Sequence, residues 1–262
     1  MLEIFPASIY RKIKGNLGDV MIEIKPLGDT AIRISFGSEI CEAIHQKIQQ
    51  FNTKLQAANI RGIVECAPAY NTVAIYYRPE VISYHVLMNQ VKKIYNNLYN
   101  AAAVQPIVYE IPVYYGGETG PDLSYIAEYH KLREDEVIKL HTSYEYLIYM
   151  VGFVPGFPYL GGLPEQLAVP RLEHPRPSVA AGSVGIGGNQ TGIYPTAVPS
   201  GWRIIGITPI KLFDIEKKQP SLFSPGHYIK FFPIDRLEFV SIKKLAAEDK
   251  FTVTSYDKEL GE

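Results

Sequence analysis

Apolar positions along the first hundred residues alternate between the periods of strand and helix. Ile22 to Ile24 and Ala31 to Phe36 read as strands, parted by the turn signal Leu27-Gly28-Asp29. Ile40, Ile44, Ile48, Phe51 and Leu55 then recur at three- and four-residue steps, the spacing that places them on one face of a helix. Ile60 to Cys66 reads as a strand broken by Ala67-Pro68-Ala69-Tyr70, and Thr72 to Tyr77 as the returning strand. Tyr84, Leu87, Val91, Ile94 and Leu98 mark a second amphipathic helix, and Pro106 to Val113 closes as a strand. The expected order is β-α-β-β-α-β, the split βαβ arrangement, with both helices on one sheet face. Residues 1–20 fit none of these elements, and are expected to be a peripheral extension unless Met21 is the true start.

Past this domain, Tyr114 to Asp122 is loop by composition, and Asp122 is placed to cap a helix over Leu123 to His130. Glu134 to His141 reads as a second short helix with acidic residues in its first turn. Tyr144 to Phe153 is apolar and aromatic enough for a buried strand. Arg203 to Ile207, Ile229 to Phe232 and Leu237 to Ile242 are further strand candidates. Short strands divided by Gly and Pro suggest a barrel or sandwich, so the chain is expected to be α+β. The expected division is an extension over 1–20, an α/β domain over 21–105 and a β domain over 106–262 with short helices at 122–141.

Composition narrows the function. The chain has 262 residues, 47% hydrophobic and 20% charged, with a net charge of −1. That balance suits a globular protein and gives no electrostatic case for nucleic acid or an anionic membrane. Cys41 and Cys66 lack redox or zinc spacing, as expected of reduced thiols in a cytoplasmic protein. No apolar run approaches the roughly 20 residues of a membrane helix, and no secretion signal opens the chain.

The densest chemistry lies between Gly152 and Trp202. Val151 to Gly201 holds 10 Gly and 8 Pro but only four charges, Glu165, Arg171, Glu173 and Arg176. Disordered segments are usually charged and poor in aromatics, whereas this one carries Phe153, Phe157, Tyr159 and Tyr194, with Trp202 beside it. Ordered, turn-rich backbone of this kind builds binding sites, and Phe153, Phe157, Tyr159 and Trp202 are expected to line a groove. Gly182-Ser183-Val184-Gly185-Ile186-Gly187-Gly188 offers free amides to an anion or turns a barrel corner; it lacks the Gly-Lys-Ser/Thr ending of a P-loop. Gln190, Thr191 and Tyr194 bring a carboxamide and two hydroxyls into five residues, suited to orienting a small polar substrate or to stabilising a turn. Arg171 and Arg176 can receive carboxylate or phosphate, or simply be solvated. His141 is a candidate general acid or base, or a helix C-cap, and His174 a weaker one. No histidine pair has zinc-ligand spacing, so no metal site is expected in the protein itself.

Long blocks carry a family resemblance. The run His141-Thr142-Ser143-Tyr144-Glu145-Tyr146, then GFVPGFPYLGGLPEQL, PRLEHPR, AGSVGIGGNQTGIYP, GWRIIGITP and LFD, with IPVYYGGETGPDL upstream, resembles the B-subunit family of bacterial 5-oxoprolinases. That family includes subunit 1 of allophanate hydrolase and the sporulation kinase inhibitor KipI. The resemblance covers roughly Met21 to Pro233, and the tail beyond is uninformative about function. It implies an N-terminal ferredoxin-like α/β domain and a C-terminal cyclophilin-like β-barrel. It implies partner subunits A and C, and ATP-driven opening of 5-oxoproline to glutamate, with ATP on or shared with a partner and Mg2+ entering only through ATP. The readings it leaves are the oxoprolinase subunit, an allophanate hydrolase-type subunit, and an inhibitor docked on a histidine kinase. Prolyl isomerase activity is set aside, because likeness of fold does not transfer activity. Within the matched blocks, His141, Arg176 and Gln190 are the candidate catalytic groups. Arg171, Gly182, Ser183, Gly187, Thr191 and Tyr194 are the candidate substrate or phosphate binders. Two turns depart from the family pattern. Val179-Ala180-Ala181-Gly182-Ser183 has Ala180 where proline is usual, and Pro199-Ser200-Gly201-Trp202 has Ser200 where glycine is usual.

Overall fold

The structure is a computed structural model that describes residues 22–98 and 105–259, so the expectations for residues 1–20 and Met21 lie outside it. The chain divides into two compact units between Tyr99 and Asn100.

The first unit runs β1 (Glu23–Pro26), β2 (Ala31–Ser35), α1 (Glu42–Ala57), β3 (Ile63–Pro68), β4 (Thr72–Tyr77) and α2 (Tyr84–Asn96). Its sheet is antiparallel throughout, in the order β1-β2-β4-β3. Strands β2 and β3 flank β4, which is the split βαβ arrangement. The edge beside β2 is filled by β1, however, and not by a strand following α2. The segment expected to close this domain, Pro106 to Val113, belongs to the second unit. Alternation explains the packing: Ile32, Ile34, Val73, Ile75 and Tyr77 are buried on one sheet face. Ile44, Ile48, Phe51 and Leu55 of α1 and Leu87 and Val91 of α2 join them in one core. Each such burial contributes about 1.5–3 kcal/mol. Ile40 lies outside α1 and is exposed. The Ser83 hydroxyl caps α2 by accepting from the Val86 amide.

The second unit begins with β5 (Ile107–Tyr115), α3 (Leu123–His130), α4 (Glu134–Thr142), β6 (Glu145–Val151) and β7 (Pro158–Gly161). It continues with β8 (Arg176–Val179), β9 (Ser183–Gly187), β10 (Gln190–Ile193), β11 (Val198–Ser200) and β12 (Arg203–Ile207). It ends with β13 (Tyr228–Pro233), α5 (Arg236–Ala247) and β14 (Ser255–Asp257). Strands β12-β9-β10-β7-β6-β13-β5 form a ring that closes through β5 and β12, which makes this unit a β-barrel. Among the described residues, β5 and β13 are its one parallel pair. Strand β14 pairs with the first half of β5, and β8 and β11 form a separate small ribbon. The core gathers Ile111 and Val113 of β5, Ile148, Val184, Ile186, Ile193 and Ile205, with Ile126 and Val137 of the two helices.

Two local expectations change. Leu237 to Ile242 is helical, inside α5, because Asp235 and Glu238 make a reciprocal capping box that starts a helix there. Asp122 precedes α3 but its side chain does not cap it. The carboxylate turns instead to Arg176, Arg203 and the Ile204 amide.

Candidate functional site

The glycine-rich segment is built as strand. In β9, Val184 and Ile186 enter the barrel core, so Gly185 and Gly187 face outward. In β10, Thr191 and Ile193 point inward, so Gln190 and Gly192 share the outward face. These outward glycines make a flat floor on which Trp202 lies. A Cβ on Gly187 would fall 2.5 Å from the indole Cδ1, and one on Gly192 would fall 3.0 Å from Phe157 and 3.1 Å from Trp202.

Around this floor Phe157, Val179, Tyr194, Trp202 and Ile204 form a small second core. Phe157 meets Tyr159, Tyr194 and Trp202 edge to face at 5.1, 5.2 and 5.8 Å. The Arg171 guanidinium sits 5.7 Å above the Trp202 ring. Burial pushes the phenols of Tyr159 and Tyr194 up, and the Arg171 charge works against that rise at both. Arg171 is exposed, and among the described residues it has no carboxylate partner. The Tyr194 hydroxyl is 2.6 Å from Ser200 Oγ, which accepts from the Trp202 amide at 3.0 Å. Ser200 does not adopt positive φ, so serine here strains nothing and ties two aromatics together.

Phe153 stands beside this patch as a knob more than as a groove wall. It is 64% exposed, has φ +66°, and packs edge to face on Phe157 at 5.7 Å. The Val154 amide donates to the Gly152 carbonyl across it at 2.8 Å, a three-residue turn rarely adopted by a side-chain-bearing residue. Backbone strain at an exposed aromatic points to use of that side chain.

Several expected site residues lie elsewhere. Arg176 is not free for ligand: its two terminal nitrogens each donate to Asp122 at 2.9 Å. Asp122 also accepts from the Ile204 amide at 2.6 Å, and Arg203 stacks on Tyr125 at 3.6 Å. This cluster locks the start of α3 to β8 and β12. Nothing in the local sequence around Asp122 announced it, because its members lie in three separate segments.

His141 is fully buried inside the barrel, stacked on Phe231 at 4.6 Å. Burial lowers its pKa to about 3, so the ring is neutral. Thr191 donates to the Gly185 carbonyl at 3.1 Å, so its single hydroxyl proton is committed there. Thr191 must then accept from His141 Nε2 at 2.9 Å, which leaves Nδ1 to accept from the Tyr115 hydroxyl at 2.8 Å. Both ring nitrogens are occupied and away from solvent. His141 and Thr191 thus brace the underside of β9 and β10 instead of touching ligand.

The anion cradle expected at Gly182 to Gly188 is also absent. The amides of Gly182, Ser183 and Gly188 donate to the carbonyls of Tyr194, Ala180 and Val169. Gly182 has φ +86° and no room for a Cβ, which would meet the Thr208 carbonyl at 2.4 Å; it is a turn glycine. The residues the structure does bring to one face are Phe157, Tyr159, Arg171, Gly187, Gln190, Tyr194 and Trp202, with Phe153 alongside. His174 is exposed. Among the described residues no three His, Cys, Asp or Glu side chains cluster as metal ligands, and no helix is long and apolar enough to cross a membrane.

Comparison with known proteins places this architecture. Residues 22–223 match the family described as carboxyltransferase domain, subdomain C and D. The chain is similar to the B subunit of 5-oxoprolinase from Bacillus subtilis, 38% identical over 86% of this chain and 98% of that protein. It is similar to the B subunit of 5-oxoprolinase from Escherichia coli O157:H7, 40% identical over 79% of this chain and 94% of that protein. Among solved structures it superposes on TTHA0988 with a TM-score of 0.70 and 31% identity, covering 82% of this chain and 40% of that longer one.

Proposed function

The chain belongs to the carboxyltransferase subdomain C and D family, and on that premise we propose that it is the B subunit of an ATP-dependent 5-oxoprolinase, working in the cytoplasm with subunits A and C. The observation that carries this reading is similarity across nearly the whole length of two proteins that bear the name of a 5-oxoprolinase B subunit: 98% of the Bacillus subtilis protein and 94% of the Escherichia coli one.

The outer face of the barrel suits that task. A five-membered lactam bearing a carboxylate is small, flat and partly apolar. Arg171 supplies an exposed guanidinium for the carboxylate, and the half-buried Tyr159 and Gln190 supply polar groups beside it, all held on the buried Phe157 and Trp202 cluster beneath. The reaction needs activation because a lactam carbonyl is a poor electrophile. Its oxygen attacks the terminal phosphorus of ATP and ADP leaves. Water then adds to the activated carbon, the ring C–N bond breaks toward the amine, and a second water releases phosphate. Charge on the transferring phosphoryl group calls for positioned donors and Mg2+ carried by the nucleotide. In this chain the loop amides expected to serve are engaged within the barrel, so the nucleotide is assigned to a partner subunit. Phe153 is assigned to the contact with that partner, because a strained, exposed aromatic is a natural anchor for a pocket.

Co-expression with subunits A and C tests this. The complex should release ADP in the presence of 5-oxoproline, and the isolated chain should not. A complex that is inert toward 5-oxoproline but cleaves another amide would remove the substrate assignment.

A further inference from the structure

The first unit holds a cleft of about 410 Å3 at the end of the β3–β4 pair opposite its connecting turn, lined by Arg61, Gly62, Ile63, Val64, Arg78 and Val81. The backbone here is specialised. Gly62 has φ +103°, and a Cβ on it would lie 2.7 Å from Ile82. The register between β3 and β4 shifts between Ile63 and Glu65, leaving Val64 as the extra residue of a bulge on an edge strand. Val64 and Val81 are both exposed, at 61% and 43%. The Arg78 amide donates to the Gly62 carbonyl at 2.8 Å, which brings the two arginine-bearing segments together. Among the described residues neither guanidinium has an acidic or hydrogen-bonding side-chain partner, and Glu65 and Glu80, the nearest acids in sequence, pair with neither.

We infer that this cleft binds a small organic dianion, its two anionic ends or single phosphoryl group held by Arg61 and Arg78 and its short aliphatic body resting on Val64 and Val81. Guanidinium forks fit carboxylate and phosphate equally well, so the shared chemistry is a dianion of either kind. The site belongs to the first unit and not to the barrel, and its test involves no turnover. Its failure would therefore leave the oxoprolinase reading untouched.

The full-length protein is titrated with glycerol 3-phosphate, with succinate, and with sulfate at matched ionic strength, following the amides of Gly62, Val64 and Arg78 in 15N–1H spectra. Saturable shifts with glycerol 3-phosphate alone identify a phosphoester site; shifts with succinate alone identify a dicarboxylate site; shifts with both identify a general organic dianion site. Arg61→Ala and Arg78→Ala should each weaken binding by about tenfold or more while leaving the melting temperature unchanged, since both side chains are exposed. The inference is overturned by non-saturating shifts with both organic probes, by sulfate binding as tightly as either, or by unchanged affinity in either variant.

Discussion

Trp202 lies directly on Gly187, so close that a single methyl group there would overlap the indole. Gly187→Ala should lift the ring and cost about 1–3 kcal/mol of barrel stability, the usual penalty for overpacking. Because Trp202 is the chain's one tryptophan, its emission reports the change directly. A red shift with a lowered melting temperature is expected; an unchanged spectrum would contradict the stacking.

The two arginines of the Gly-Pro-rich segment should behave oppositely. Arg176→Ala leaves the buried Asp122 carboxylate with only Arg203, at 3.7 Å, and the Ile204 amide. The expected loss is about 2–4 kcal/mol of stability. Arg171→Ala removes an exposed cation and should change stability by less than about 0.5 kcal/mol. In the assembled complex it should raise KM for 5-oxoproline tenfold or more, about 1.4 kcal/mol of carboxylate binding. Denaturant titrations beside steady-state kinetics separate the two, and a reversal of these roles would be a clear failure.

His141 makes barrel stability depend on pH. Its pKa falls from the ordinary 6.5 to about 3 in the fold, and burial also lowers that of His227. In both cases the unfolded chain takes up the proton first. Their contribution is therefore complete above pH 6.5 and is lost as pH falls toward the folded values, at up to about 1.4 kcal/mol per pH unit for His141. Urea unfolding followed by Trp202 emission between pH 7.5 and 4 should show the loss. His141→Gln should be less stable at pH 7 but follow a shallower slope; an unaltered slope would assign the effect elsewhere.

Phe153→Ala should weaken association with the partner subunit by about 2 kcal/mol, the scale of a central aromatic anchor. Phe153→Gly should weaken it similarly while stabilising the isolated chain, because glycine accepts φ +66° without strain. Sedimentation or calorimetry of the purified pair measures both. Wild-type affinity in each variant would remove Phe153 from the interface.

Helical stripes were plain in the sequence because their buried members recur on one face, as Ile44, Ile48, Phe51 and Leu55 do. The strands of the Gly-Pro-rich segment were not. In β9 the apolar Val184 and Ile186 alternate with glycine instead of polar residues, so the period of two read as ordered, turn-rich backbone and not as strand. Beneath Trp202, that alternation is a floor for a large ring. Leu237 to Ile242 misled in the other sense: Leu237, Phe239 and Val240 suggested a strand, while Asp235 and Glu238 already signalled a helix start. Arg176 and His141 showed the limit of residue type as a guide. Each has chemistry fit for a ligand, but partners brought by distant segments, Asp122 for one and Tyr115 and Thr191 for the other, absorb it. Arg171 stayed available because the side chain beneath it is an aromatic ring and not a carboxylate.

Strand β1 occupies the edge beside β2 that a later strand was expected to fill. The sheet of the first unit is therefore complete once α2 has been made, and on a ribosome it can settle while the rest is still being synthesised. Strand β5 is in the contrary position. Its neighbours β12, β13 and β14 all come from near the far end of the chain. Its edges stay open from its own synthesis until β12, β13 and β14 emerge, so the order of emergence leaves this barrel, and not the unit made before it, as the part most in need of chaperone protection.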